Sequence, residues 1–167
     1  MRVKQIPFRF DYLTVNGKYL TPFGVINNTS AAIVSSLTAS QLLDFIATDD
    51  FTELAINLTI HSVSGTFATG QGLTVHFYVL DPLEPSNPSS ANFSKQPVID
   101  LTLNSTPITT VGTLRFVISK SGQATVWING TATSLGTLTV PMMWQLYLVI
   151  SGTTPSFSII GTYEARA

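Results

Sequence analysis

The chain has 167 residues, no cysteine, a formal net charge of −1 and only 10% charged residues, where an average soluble domain carries about 25%. That length suits one domain burying roughly 70% of its unfolded surface, so neither a disulfide nor a metal is needed to hold it. A pI near 6.0 offers no basic field for a phosphate backbone, which argues against nucleic-acid binding, and the absence of cysteine leaves the compartment open.

In chain order, four of the eight basic residues, Arg2, Lys4, Arg9 and Lys18, fall in the first 18 positions. They read either as a basic arm for an acidic partner or as edge-strand charges that block sheet-to-sheet aggregation. The first eight residues lack an apolar h-region and no later run is long enough to span a bilayer, so neither a secretory precursor nor a membrane protein is expected. Phe8 to Val15, then Asn16-Gly17, then Lys18-Tyr-Leu-Thr predict a hairpin, because Asn-Gly supplies the positive φ angles of a type I′ turn. Residues 1–21 are therefore taken as an N-terminal arm or hairpin and 22–167 as the main domain. Around 39–47 a Ser cap and apolar residues at helical spacing allow one short helix, with a strand as the alternative.

Asp49, Asp50 and Glu53 form the only acidic cluster, and it lacks the spacing and glycine of a calcium loop. It reads as a solvated turn. Beyond it, Leu54, Ile56, Leu58 and Ile60, then Leu73, Val75, Phe77 and Val79, alternate with Asn57, Thr59, His61, Thr74, His76 and Tyr78. Period-two alternation is the pattern of half-buried strands. A matching segment follows at 144–164, and both segments carry Ser-Gly-Thr, at 64–66 and 151–153. Each segment reads as a hairpin. If the loop 65–72 closes the first one symmetrically, Ile60 faces Phe77 and His61 faces His76 on the outer side, a weak start for a metal site that would still need a third ligand.

Residues 82–97 hold Pro82, Pro85, Pro88 and Pro97 among Ser and Asn, too broken for an element and read as a long surface loop. Strands are expected at about 53–64, 72–81, 97–103, 112–119, 123–129, 137–141, 143–151 and 156–164, the spacing of an antiparallel β-sandwich, jelly-roll-like, or of a barrel. Of the two tryptophans, Trp127 falls with Thr125 and Asn129 opposite Val126 and Ile128, so it is the candidate for an outward ring that stacks on a sugar or meets another subunit, with a core position in the second sheet as an equal alternative. Six of the eight asparagines, Asn27, Asn28, Asn57, Asn92, Asn104 and Asn129, stand in Asn-x-Ser/Thr, where about two are expected by chance, a hint of external glycosylation. No Gly-x-Ser-x-Gly elbow, cysteine nucleophile or phosphate-binding glycine loop occurs, and Asp11, Asp44, Asp81, Glu84, Asp100 and Glu164 are scattered. The chain therefore reads as a non-enzyme with no catalytic residue and no cofactor.

The run Asp50-Phe-Thr-Glu-Leu-Ala-Ile-Asn-Leu-Thr-Ile-His-Ser-Val-Ser-Gly-Thr, the strand Leu73-Thr-Val-His-Phe-Tyr-Val-Leu-Asp and the closing Ser151-Gly-Thr-Thr-Pro-Ser-Phe segment resemble small β-sandwich virion proteins of tailed phages, the head decoration and auxiliary capsid proteins. Single jelly-roll capsid proteins are a more distant likeness. The resemblance covers about 50–164 and implies a homo-oligomer, trimer or larger, on the outer surface of a capsid, reinforcing a shell through multivalent contacts with capsid subunits and with its own copies. Contact residues are then expected by exposure in the arm, at Arg2, Lys4, Ile6 and Phe8, and in the loop, at Leu83 and Phe93. Two alternatives stand beside it. The run Thr113-Leu-Arg-Phe-Val-Ile-Ser-Lys-Ser-Gly-Gln-Ala-Thr-Val-Trp-Ile-Asn-Gly-Thr is similar to a hairpin of laminin-G and legume-lectin sandwiches, which implies a carbohydrate-binding module. An extracellular filament subunit joined by donor-strand exchange would lend the residues before about Thr21 to a neighbour.

Overall fold

The structure, a computed structural model, describes residues 3–7, 24–27, 37–38, 46–48, 51–80, 94–95 and 99–167. All the regular elements among them are strands: β1 (Val3–Pro7), β2 (Gly24–Asn27), β3 (Leu37–Thr38), β4 (Ile46–Ala47), β5 (Glu53–Thr66), β6 (Leu73–Leu80), β7 (Ser94–Lys95), β8 (Ile99–Thr102), β9 (Gly112–Ile118), β10 (Gln123–Ile128), β11 (Thr131–Thr137), β12 (Met143–Ile150) and β13 (Thr153–Arg166). The fold is an all-β antiparallel sandwich. One sheet runs β1-β13-β5-β9-β10-β11, with β2 also against β13, and the other runs β4-β12-β6-β8. A small third pairing joins β3 to β7.

The alternating residues fill the space between the sheets. Leu54, Ile56, Leu58, Leu114, Phe116, Ile118, Val126 and Phe157 come from the larger sheet, and Leu73, Val75, Phe77, Leu146, Leu148 and Ile150 from the smaller, all buried. At the centre Phe77 packs on Phe116 at 4.9 Å between ring centroids and stacks on Trp144 at 5.6 Å, while Tyr163 meets Trp144 edge-on at 5.5 Å. Such tilted and edge contacts add to the burial of the rings themselves, each ring pair contributing about 0.5–1.5 kcal/mol.

Four sequence expectations need correction. The two matched segments are not hairpins: β5 pairs with β9 and β13, whereas β6 pairs with β12 and β8, so 67–72 and 151–152 both cross from one sheet to the other. Alternation is the same on either side of a crossing, so it cannot tell an arch from a hairpin. The arches lie side by side. Thr66 pairs with Thr153, the Ser151 N–H donates to the Gly72 carbonyl at 3.0 Å, and the Gly72 N–H donates to the Ser151 hydroxyl at 3.2 Å. The repeated Ser-Gly-Thr is thus a matched pair, and both glycines are needed. Gly65 and Gly152 have φ of 111° and 143°, and a Cβ would come within 2.8 Å of the Thr154 carbonyl oxygen at the first and 2.9 Å of the Thr66 carbonyl oxygen at the second.

Second, the strand expected at 137–141 lies instead at β11. Asn129 and Gly130, with φ of 49° and 86°, form the two-residue turn that joins it to β10. Third, Ile46 and Ala47 pair with β12, so the short helix expected near 39–47 does not cover those positions; residues 39–45 lie outside the described residues. Fourth, the polar loop contains an element after all, since Ser94–Lys95 forms β7. The Asn16-Gly17 hairpin and most of the 82–97 loop lie outside the described residues.

At the N-terminus, β1 pairs with β13 of its own chain, from Val3 against Arg166 to Pro7 against Thr162.

Candidate binding surface

The outer face of the larger sheet carries the most distinctive side-chain arrangement. Because Leu114, Phe116, Ala124 and Val126 point inward, Thr113, Arg115, Thr125 and Trp127 must point out. Register does the rest. Trp127 lies opposite Arg115 across β10 and β9, Arg115 lies opposite Asn57 on β5, and Ala132 on β11 flanks Trp127 on its other side. The Arg115 guanidinium carbon sits 6.0 Å from the centre of the Trp127 ring, a cation–π pair at the outer limit of that interaction. Arg115 is exposed and Trp127 half-buried. Among the described residues no carboxylate pairs with Arg115; the nearest acid on β13, Glu164, is held by Arg166. The hydroxyl and amide groups of Thr113, Thr125 and Asn57 complete a polar surface around one aromatic ring and one cation.

On the smaller sheet His76 accepts or donates a 2.8 Å hydrogen bond at Nδ1 with Asp100 Oδ1, and the Thr102 hydroxyl lies 3.4 Å from the same nitrogen. His76 is 4% exposed and Tyr78 fully buried although both point away from the first sheet. The smaller sheet is therefore buried on both faces here, and the His76–Asp100 pair satisfies a histidine placed in that setting. The partners follow from the β6–β8 register, which sets Thr102 opposite His76 and Asp100 one diagonal step away.

An open depression of about 470 Å³ lies between the loops 67–71 and 106–109. None of its lining residues, which include Phe67, Gln71 and Pro107, is ionisable. It offers shape without acid–base chemistry.

The two histidines do not meet. His61 is exposed on the larger sheet, at a bulge where Ile60 pairs with Ile159 and Ser62 with Ser158, and His76 is buried in the other sheet. Among the described residues no three of His, Cys, Asp and Glu lie together. Glu53 opens β5; Asp49 and Asp50 lie outside the described residues. Of the expected contact residues, Lys4 and Ile6 stand on β1, at the sheet edge, and Arg2, Phe8, Leu83 and Phe93 lie outside the described residues.

Asn104 overturns part of the glycosylation expectation. It is 2% exposed, its Oδ1 accepts from the Val75 N–H at 2.8 Å, and its Nδ2 donates to the Leu73 and Thr106 carbonyls at 2.9 and 3.0 Å. A side chain bonded on both atoms inside the protein is no glycan acceptor. Asn129 is exposed, but its Oδ1 holds the Thr113 N–H at 2.8 Å. Arg115 and Asp100 were missed as functional candidates because each gains its neighbour only across strands. The one signal that could have found Arg115 is its parity: twelve positions before Trp127 in a strand–turn–strand unit.

No known family profile matches this chain, and no curated protein does. Among solved structures it is similar to a basic winged bean lectin crystallised with Tn-antigen, at 10% identity over 98% of both chains with a TM-score of 0.43. It is also similar to a carbohydrate esterase from the Shiga toxin-encoding bacteriophage phi24B, at 14% identity over 88% of this chain and 91% of that one, TM-score 0.37. An alginate lyase of polysaccharide lyase family 7 aligns at 15% identity over 98% of this chain and 74% of that one, TM-score 0.34. With TM-scores this low, the architecture rests on the chain's own strand pairing.

Proposed function

We propose that this protein is a non-catalytic structural subunit that works through contacts with copies of itself and with other subunits of a shell, on the outer surface of a virion. The observation that carries this reading is the edge strand β11. Its seven residues, Thr-Ala-Thr-Ser-Leu-Gly-Thr, contain no charge and no proline, and all but Leu135 are exposed. Natural edge strands are usually guarded by such residues because their unpaired backbone groups template pairing with another chain. Two other edges do carry such residues, Lys4 and Pro7 on β1 and Asp100 on β8, and β4 is only two residues long. On β11 only a bulge at Leu135, between the pairs Ala124–Gly136 and Thr125–Ser134, interrupts the strand, leaving 131–134 regular. The low overall charge and the resemblance to phage virion sandwiches support the same reading.

The test is native mass by light scattering at two concentrations, with Thr133→Lys as the edge-breaking variant. A trimer or larger assembly that dissociates in the variant, with its melting midpoint preserved, is the expected result. A monomer at every concentration, alone and with capsid shells, would refute it.

A second reading is favoured by Trp127. An aromatic ring on an exposed polar sheet face suits the apolar face of a pyranose, so the domain would act as a carbohydrate-binding module. Loss of glycan binding in Trp127→Ala, with the fold intact, is its test.

A further inference from the structure

We infer that Arg115 and Trp127 together form a binding site for a carboxylate-bearing sugar, of the uronic-acid or sialic-acid type; this rests on the carbohydrate-binding reading of Trp127. Arg115 is an exposed cation that no carboxylate neutralises among the described residues. Its guanidinium lies toward the indole, 6.0 Å from the ring centre. At that distance the two groups are neighbours, and with no carboxylate on it among the described residues the guanidinium keeps its N–H edge available for a planar, bidentate anion. A carboxylate, planar, two-oxygened and singly charged, matches one such fork while leaving a sugar ring attached to contact the indole.

The surroundings narrow the ligand further. A nucleic-acid backbone or a polyphosphate needs a stripe of cations, and β5, β9 and β10 carry one, Arg115, in a chain of net charge −1. Neutral sugars would use Trp127 and the hydroxyls of Thr113 and Thr125 but would leave Arg115 without a partner. Asn57, opposite Arg115 on β5, supplies an amide able both to donate and to accept beside the bound carboxylate. Ala132, opposite Trp127 on β11, is small and exposed, so it leaves the outer edge of the indole open to a ligand. Cation, ring and amide thus lie in one row across β5, β9 and β10.

The experiment is a calorimetric and tryptophan-fluorescence titration of the full chain with trigalacturonate and with sialyllactose, each against its neutral counterpart, carboxyl-reduced trigalacturonate and lactose. Trp144 is fully buried in the core, so a change in emission on binding reports on Trp127. An acidic sugar is expected to bind at least tenfold more tightly than its neutral counterpart. Arg115→Gln should abolish that preference while keeping the residual neutral binding, Arg115→Lys should restore part of it, and Trp127→Ala should weaken acidic and neutral sugars alike. Equal binding of acidic and neutral sugars, unaffected by Arg115→Gln, would overturn the inference and leave the carbohydrate reading standing. No binding of any of the four sugars at millimolar concentration would overturn both.

Discussion

Replacing Asn104 by alanine should cost this domain about 2–4 kcal/mol. The magnitude comes from the three bonds that the side chain makes. The Val75 N–H donates to Oδ1 at 2.8 Å inside the protein and would be left without an acceptor, a loss of about 1–3 kcal/mol. The Leu73 carbonyl would keep the Ile108 N–H at 2.9 Å, and the Thr106 carbonyl lies beside an exposed residue where water can replace Nδ2, so these two add less. Removal of the amide also leaves a small void against β6. Urea denaturation at neutral pH is the assay: with m of about 1–3 kcal/mol/M, the midpoint should fall by about 1–2 M at unchanged m. Asn104→Asp makes a sharper test. It keeps the acceptor but turns an oxygen toward two carbonyls in a buried site, which raises the carboxyl above its unfolded value of about 4. A raised folded value means that stability is retained below about pH 4 and lost as pH rises through that value, so the aspartate variant should be closest to wild type in acid and weakest at neutral pH. An alanine variant within about 0.5 kcal/mol of wild type, or an aspartate variant with the same deficit at both pH values, would refute the reasoning.

The paired arches give a second test. Gly65→Ala and Gly152→Ala, each forced against a backbone carbonyl at positive φ, should each lose about 2–3 kcal/mol or fail to fold, read by thermal denaturation and soluble yield. Asp100→Ala removes the 2.8 Å bond to nearly buried His76 and should cost about 1–2 kcal/mol, a melting midpoint lower by roughly 2–6 °C, with Asp100→Asn costing less; an unchanged midpoint would show that the pair contributes nothing. Expression in a glycosylating host should leave Asn104 unmodified in the folded protein, checked by peptide mass mapping, because the acceptor nitrogen is bonded to two carbonyls.

The alternation of Leu54, Ile56, Leu58 and Ile60, and of Leu73, Val75, Phe77 and Val79, was enough to establish strands, their buried faces and an all-β class, since side-chain parity along a strand is a local property. The same parity set Trp127 opposite Val126 and Ile128 but left an outward ring and a core position equally open, and the strand that follows the Asn129-Gly130 turn was expected too late, at 137–141. Which strands pair is a different kind of fact. Nothing local separates an arch from a hairpin, so His61 and His76 were set face to face when 67–72 in truth carries the chain to the opposite sheet. The Ser-Gly-Thr repeat was visible in the sequence, but its meaning, two crossings that hydrogen-bond to each other, exists only after the sheets have stacked. The partners of Asp100, Asn104 and Arg115 were hidden for the same reason: His76, Val75 and Trp127 reach them across strand pairings whose register is set by packing of the two inner faces, not by the residues on either side in the chain.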